Sequence, residues 1–141
     1  MLLDIVTPER RLRSLADDTI SLPIETQDVV IPGIDGEFEV LPGHSPFITL
    51  LGTGVLWFTT KAGKQVRLMV SGGFAEVDRD RVTVMADAAA MAEEVDEGDE
   101  KSALVDVERK LQELGATNAE DDDFKKLKVA AEQSAAKLRL K

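Results

Sequence analysis

The sequence predicts an α+β chain in which a β-sandwich or flattened barrel (residues 1–87) precedes an antiparallel two-helix hairpin (residues 88–141). Three observations predict it. All five prolines, and every glycine except Gly98 and Gly115, precede residue 87, among Val, Ile, Leu, Thr and Phe. That first part breaks into short alternating runs separated by turn residues, as strands do. The remainder is rich in Ala, Glu, Asp, Lys and Leu and carries apolar residues at helical spacing, so the strands and helices form separate layers.

The strands follow in order. Leu2 to Val6 is short and apolar and is limited by Pro8; Thr19 to Leu22 and Val29 to Ile31 are weaker runs. Glu37-Phe38-Glu39-Val40-Leu41 alternates polar and apolar, which suits a half-buried strand. Phe47 to Leu51 comes after the Pro42-Gly43 turn, and Val55 to Thr60 joins Gln65 to Val70 through Lys61-Ala62-Gly63-Lys64. Phe74 to Val77 and Val82 to Met85 flank Asp78-Arg79-Asp80-Arg81, with Val82, Val84 and Ala86 predicted on one face and Thr83 and Met85 on the other. Short strands at this spacing, eight to ten by count of runs, fit a sandwich or barrel.

The first helix is predicted to start near Asp96, with Asp96 or Asp99 as N-cap and acidic residues in the first turn. Its seam is Leu104, Val107, Leu111 and Leu114, and Gly115 supplies the stop. After a polar linker, Ala116 to Glu120, Asp121-Asp122-Asp123 caps a second helix with the seam Phe124, Leu127, Ala131, Ala135 or Ser134, and Leu138. Lys137, Arg139 and Lys141 suit its C-terminus. The alanine-rich seam buries little, at roughly 25 cal/mol per Å², so the hairpin is predicted to dock on something and to be able to leave it.

Composition excludes several classes. A net charge of −10 opposes general nucleic-acid binding, and five Phe, one Trp and no Tyr give few stacking platforms. Zero cysteines exclude thiol chemistry and thiolate metal sites, and a single histidine, His44, excludes a site needing two. No apolar run reaches the length of a membrane span, and the N-terminus has no signal-peptide pattern. No cofactor or metal site is expected: Asp121-Asp122-Asp123 lacks the spacing of a calcium loop and reads as a cap.

The remaining candidates each have two readings. His44, held by Pro42, Gly43 and Pro46, is either a presented contact residue or a turn histidine bonded to its own backbone. Asp35-Gly36-Glu37 is a solvated hairpin tip or a contact loop. Ser71-Gly72-Gly73 could approach phosphate, but no Lys or helix start follows, and close packing or a bulge explains it better. Lys125, Lys126, Lys128, Lys137, Arg139 and Lys141 form a basic cluster that either solvates a helix face or meets an acidic partner.

Four segments in register then resemble one family. Ile5-Val6-Thr7-Pro8-Glu9-Arg10, the stretch from Pro32 to Pro46, Ser71-Gly72-Gly73-Phe74-Ala75-Glu76-Val77, and Val82 to Ala89 are similar to the epsilon subunit of F-type ATP synthase, across nearly the whole chain. The resemblance implies a ten-stranded β-sandwich followed by the helical hairpin. It implies a non-catalytic rotor subunit of a proton- or sodium-driven synthase, peripheral on the cytoplasmic face of a bacterial inner membrane. The implied partners are the gamma subunit, the c-ring through Asp35, Glu37, Pro42, Gly43 and His44, and the alpha and beta catalytic subunits when the hairpin extends. Lys125, Lys126, Lys128, Lys137 and Arg139 would meet an acidic segment there, and the extended hairpin would block ATP hydrolysis.

The sequence departs from the family in two places. Members that bind ATP carry Arg and Ala at the start of the first helix, where this chain keeps Asp96 but has Asp99 and Glu100, the wrong sign for phosphate. The segment between Arg10 and Val29 is also longer than the family usually has. Two other classes compete with the family reading. A free-standing ligand-binding sandwich with an accessory hairpin requires a lined cavity, and an enzyme requires a convergent catalytic set that these residues do not spell out.

Overall fold

The computed structural model describes residues 1–8, 24–92, 95–114 and 122–140. The strand candidate at Thr19 to Leu22, most of the long segment after Arg10, the Gly115 stop, the linker that follows and the Asp121 cap lie outside the described residues. The elements are β1 (Leu2–Val6), β2 (Ile24–Gly33), β3 (Gly36–Val40), β4 (His44–Leu50), β5 (Thr53–Thr60), β6 (Gln65–Arg79), β7 (Arg81–Met91), α1 (Glu97–Leu114) and α2 (Asp122–Leu138).

The sheet runs β1-β7-β6-β5-β2-β3, with β4 paired to β6. β1 closes it: this strand is parallel to β7 through Leu2↔Arg81 to Val6↔Met85, and antiparallel to β2 at Leu2↔Glu25 and Leu3↔Ile24. Closure by β1 joins β7 to β2 and, among the described residues, leaves β3 and β4 as the strands with one partner each. Inside lie Leu3, Ile5, Val29, Ile31, Val40, Leu56, Phe58, Leu68, Val70, Val77, Val82 and Val84, each at most 1% exposed. Val82, Val84 and Ala86 point inward while Met85 points out, as the alternation predicts.

Seven strands stand among the described residues, not ten. The runs 65–70 and 74–77 are a single strand, β6, which changes neighbours halfway. As far as Ser71 it pairs with β5 (Thr53↔Ser71), and from Phe74 with β4 (Leu50↔Phe74), while β7 accompanies both halves. The bend is Gly72-Gly73, at φ +69° and +90°. It is stitched to the β4–β5 connection by Leu51 N–H donating to the Gly73 carbonyl (2.9 Å) and Gly72 N–H to the Gly52 carbonyl (3.3 Å). Strands that switch layers at such a bend form the corners of a sandwich. β7 also continues through Ala88–Ala90 to Met91, opposite Ser71 to Leu68 of β6. Alanine favours helix only locally, and here cross-strand pairing overrides that preference.

Asp96 caps α1: its Oδ1 accepts from the Asp99 N–H at 3.0 Å, so the first of the two predicted caps is the one used. The α1 and α2 helices pack along each other, and α2 also lies against β5 and β6. The hairpin is antiparallel, since Lys137 near the end of α2 meets Glu100 at the start of α1. On α2 the seam uses buried Ser134, and Ala135 faces out.

Candidate interaction surfaces

The Pro32-to-Pro46 stretch builds two turns. Ile34 and Asp35 form the tip between β2 and β3, and Asp35 and Glu37 are exposed there, with Gly36 at φ +132°. At the other end of β3, Pro42 and Gly43 (φ +82°) turn the chain toward β4, carrying it from the β2 layer to the β6 layer. The five residues of β3 separate the two turns by about 17 Å. The sequence grouped Asp35 and Glu37 with Pro42, Gly43 and His44, whereas the fold sets them at opposite ends of one strand. His44 is half-buried: Nδ1 lies 2.7 Å from the Ser45 carbonyl and its ring sits 4.9 Å from that of Phe47. The Gly43 N–H donates to the carbonyl of Arg79, which holds φ +41° at the β6–β7 turn.

A surface absent from the sequence reading lies on the outer face of β4, β6 and β7. Leu50 pairs with Phe74, and Phe74 with Met85, so the three side chains form one row across the sheet. Ile48 shares the face of Leu50, and the Ile34 N–H donates to the Leu50 carbonyl, bringing the Asp35 tip alongside. Ile48 is 68% exposed and Leu50 59%. The sequence signal was present: Phe47-Ile48-Thr49-Leu50-Leu51 is apolar at both parities.

The hairpin docks through a second row. Val55, Met69 and Ala90 are register partners across β5, β6 and β7, and Ala136 of α2, fully buried, packs on them beside Leu140. Small side chains let the helix lie close. Next to this contact Gln133 Nε2 donates to Ser71 Oγ at 2.9 Å, and Ser71 Oγ is 2.8 Å from Thr53 Oγ1. Thus Ser71-Gly72-Gly73 serves close packing: a Cβ on Gly73 would run into the Met85 carbonyl oxygen. Of the basic cluster, Lys125, Lys126, Lys128 and Arg139 are exposed and Lys141 lies outside the described residues, but Lys137 is paired with Glu100 at 3.3 Å, the two side chains 26% and 18% exposed. The nucleotide candidate Asp96 is engaged as a cap, and Asp99 is exposed.

Among the described residues no three His, Cys, Asp or Glu side chains gather as a metal site, and no helix is long and apolar enough to cross a membrane. The family model described as ATP synthase, Delta/Epsilon chain, beta-sandwich domain matches residues 1–92. The ATP synthase epsilon chain of Geobacter sulfurreducens is 34% identical over 138 residues, 98% of this chain and 91% of that protein. The epsilon chain of Desulforamulus reducens is 39% identical over 114 residues, 81% and 79% of the two chains. A chain in the cryo-EM structure of the Euglena gracilis mitochondrial ATP synthase (OSCP/F1/c-ring, rotational state 1) matches with a TM-score of 0.75 over 95% of this chain and 76% of that one, at 23% identity, a likeness of fold. Closed sandwich, docked hairpin and these matches agree: the chain belongs to the ATP synthase epsilon-chain family, a non-catalytic component of the central stalk.

Proposed function

We propose that the sandwich of this chain grips the gamma subunit and rests on the c-ring, while the hairpin is a mobile brake on ATP hydrolysis. The observation that carries the reading is the apolar row Ile48, Leu50, Phe74 and Met85, exposed on a chain of net charge −10. An apolar row of this kind on a strongly charged protein fits a permanent partner. The gamma subunit covers it. Asp35 and Glu37 at one turn, and Pro42, Gly43 and His44 at the other, meet the polar loops of the c-ring. With contacts at both ends, β3 lies lengthwise on the ring. The closed, close-packed barrel transmits torque with little give, and Pro32, Pro42 and Pro46 stiffen the turns.

In the extended state α2 reaches the alpha and beta subunits, and Lys125, Lys126, Lys128, Lys137 and Arg139 face an acidic segment. The complex is proton- or sodium-driven and sits peripherally on the cytoplasmic face of a bacterial inner membrane. A free-standing ligand-binding module finds less support, because Leu56, Phe58 and Leu68 fill the interior.

Pull-down with the gamma subunit tests the main claim. The double variant Leu50→Asp, Phe74→Asp keeps its fold, since both side chains point outward, and binds gamma at least about a hundredfold more weakly. Undiminished binding overturns the reading. Calorimetry tests the nucleotide side. With Asp99 and Glu100 beside the α1 start, the isolated protein binds ATP at millimolar affinity or weaker, and micromolar binding would contradict this.

A further inference from the structure

The α2 docking contact is built in an unusual way for a stable helix. Its apolar part is small, Ala136 and Leu140 on Val55, Met69 and Ala90. Two polar contacts flank it, one turn apart on α2: Gln133 holds it to Ser71 of the sandwich at 2.9 Å, and Lys137 holds it to Glu100 of α1 at 3.3 Å. Ser71 is 3% exposed, and its hydroxyl is also bonded to Thr53. Sliding α2 by one turn would break both polar contacts together. When α2 leaves, water replaces them, so each is strong enough to set register and weak enough to be reversible.

We propose that these two contacts are a polar latch setting the ratio of docked to released α2, and that Glu100 is an internal competitor for Lys137 against an external acidic partner. The proposal rests on the mobile-hairpin reading above. Lys137 can satisfy Glu100 or the partner, and not both. The other exposed cations, Lys125, Lys126, Lys128 and Arg139, are available in either state. Lys137 is therefore the one cation of that set whose charge is spent holding the brake off. Because Glu100 stands on α1, release parts α2 from α1 as well as from the sandwich. The cost is one half-buried ion pair, one hydrogen bond, the small apolar contact and the packing between the two helices, and an acidic groove on the partner returns the first.

The test uses the full chain. It has one tryptophan, Trp57, which shares the outward face of β5 with Val55, and no cysteine, so Val129→Cys accepts a single acceptor dye on α2. Energy transfer from Trp57 reports docking. Glu100→Gln and Gln133→Ala are each expected to raise the released-to-docked ratio about fivefold, and the pair to multiply. Added salt raises the ratio for the parent but not for Glu100→Gln. The exchange variant Glu100→Lys, Lys137→Glu restores transfer, yet inhibits hydrolysis of the assembled complex less than the parent, because the cation has left α2. Transfer unchanged in Glu100→Gln, or not recovered by the exchange, overturns the latch. Transfer unchanged in Ala136→Glu as well, where a buried carboxylate must expel the helix, overturns the mobile hairpin beneath it.

Discussion

Gly73→Ala is expected to destabilise the sandwich by about 3 kcal/mol or more, a large share of the 5–15 kcal/mol typical of a domain. Two costs combine. Gly73 holds φ +90°, which L residues adopt at about 1–3 kcal/mol. A Cβ there would also strike the Met85 carbonyl oxygen and crowd Ala86 Cα at 3.1 Å, both of them β7 backbone that cannot swing away as a side chain can. Gly63→Ala is the control. Its φ of +89° is nearly the same, but nothing lies within 4 Å of the new Cβ, so it pays only the backbone cost. Urea midpoints of the two variants isolate the contact, and equal losses would show that the β6–β7 approach has no energetic weight. The bend also positions Ser71 and Phe74 on opposite sides of it. A Gly73 variant that still folds should therefore weaken both hairpin docking and gamma association.

Ala136→Glu is expected to release α2 from the sandwich almost completely. Ala136 is fully buried against Val55, Met69 and Ala90, where a carboxylate would lose its solvation. Burying an unpaired carboxylate costs several kcal/mol. Moving an equilibrium from 1:99 to 99:1 takes about 5.5 kcal/mol, so this one change is of the size needed. Energy transfer from Trp57 to α2 should fall to the level of a denatured control. In the assembled complex hydrolysis should drop below that of the parent, and a chain ending at Ala92 should restore it. That end point leaves β7 whole, whereas a cut after Ala88 would remove the pairing of Ala89, Ala90 and Met91 with Val70, Met69 and Leu68. Persisting transfer in Ala136→Glu, with transfer also unchanged in Glu100→Gln, would overturn the mobile hairpin.

Much of the fold was legible because local chemistry and tertiary structure agree there. Glu37 to Val40 alternates and is a strand, Val82 to Ala86 alternates and faces as predicted, and Asp96 is a cap in the structure as in the sequence. Misreadings arose where a residue's partner lies far along the chain. Gly72-Gly73 looks like a break between two strands, yet it is a corner within one, because β7 holds both halves of β6 in register. Ala88 to Ala90 looks like helix but is sheet for the same reason. The α2 seam was visible as a single line, because helical spacing reveals one face strongly. The other contact, made by Gln133 and Ala136 with Leu140 just past the helix end, has one large apolar residue, too few to show as a pattern.

The sequence by itself determined the two-part architecture, the family, the basic stretch on the last helix and the absence of thiol chemistry, since composition and short-range spacing encode these. Only the tertiary structure decided that Asp35 and His44 stand at opposite ends of β3, and that Leu50, Phe74 and Met85 form one row. It also decided that Lys137 is held by Glu100. Each of these joins residues from distant strands or helices, and register across a sheet or a helix pair is set by packing that no local pattern of side chains records.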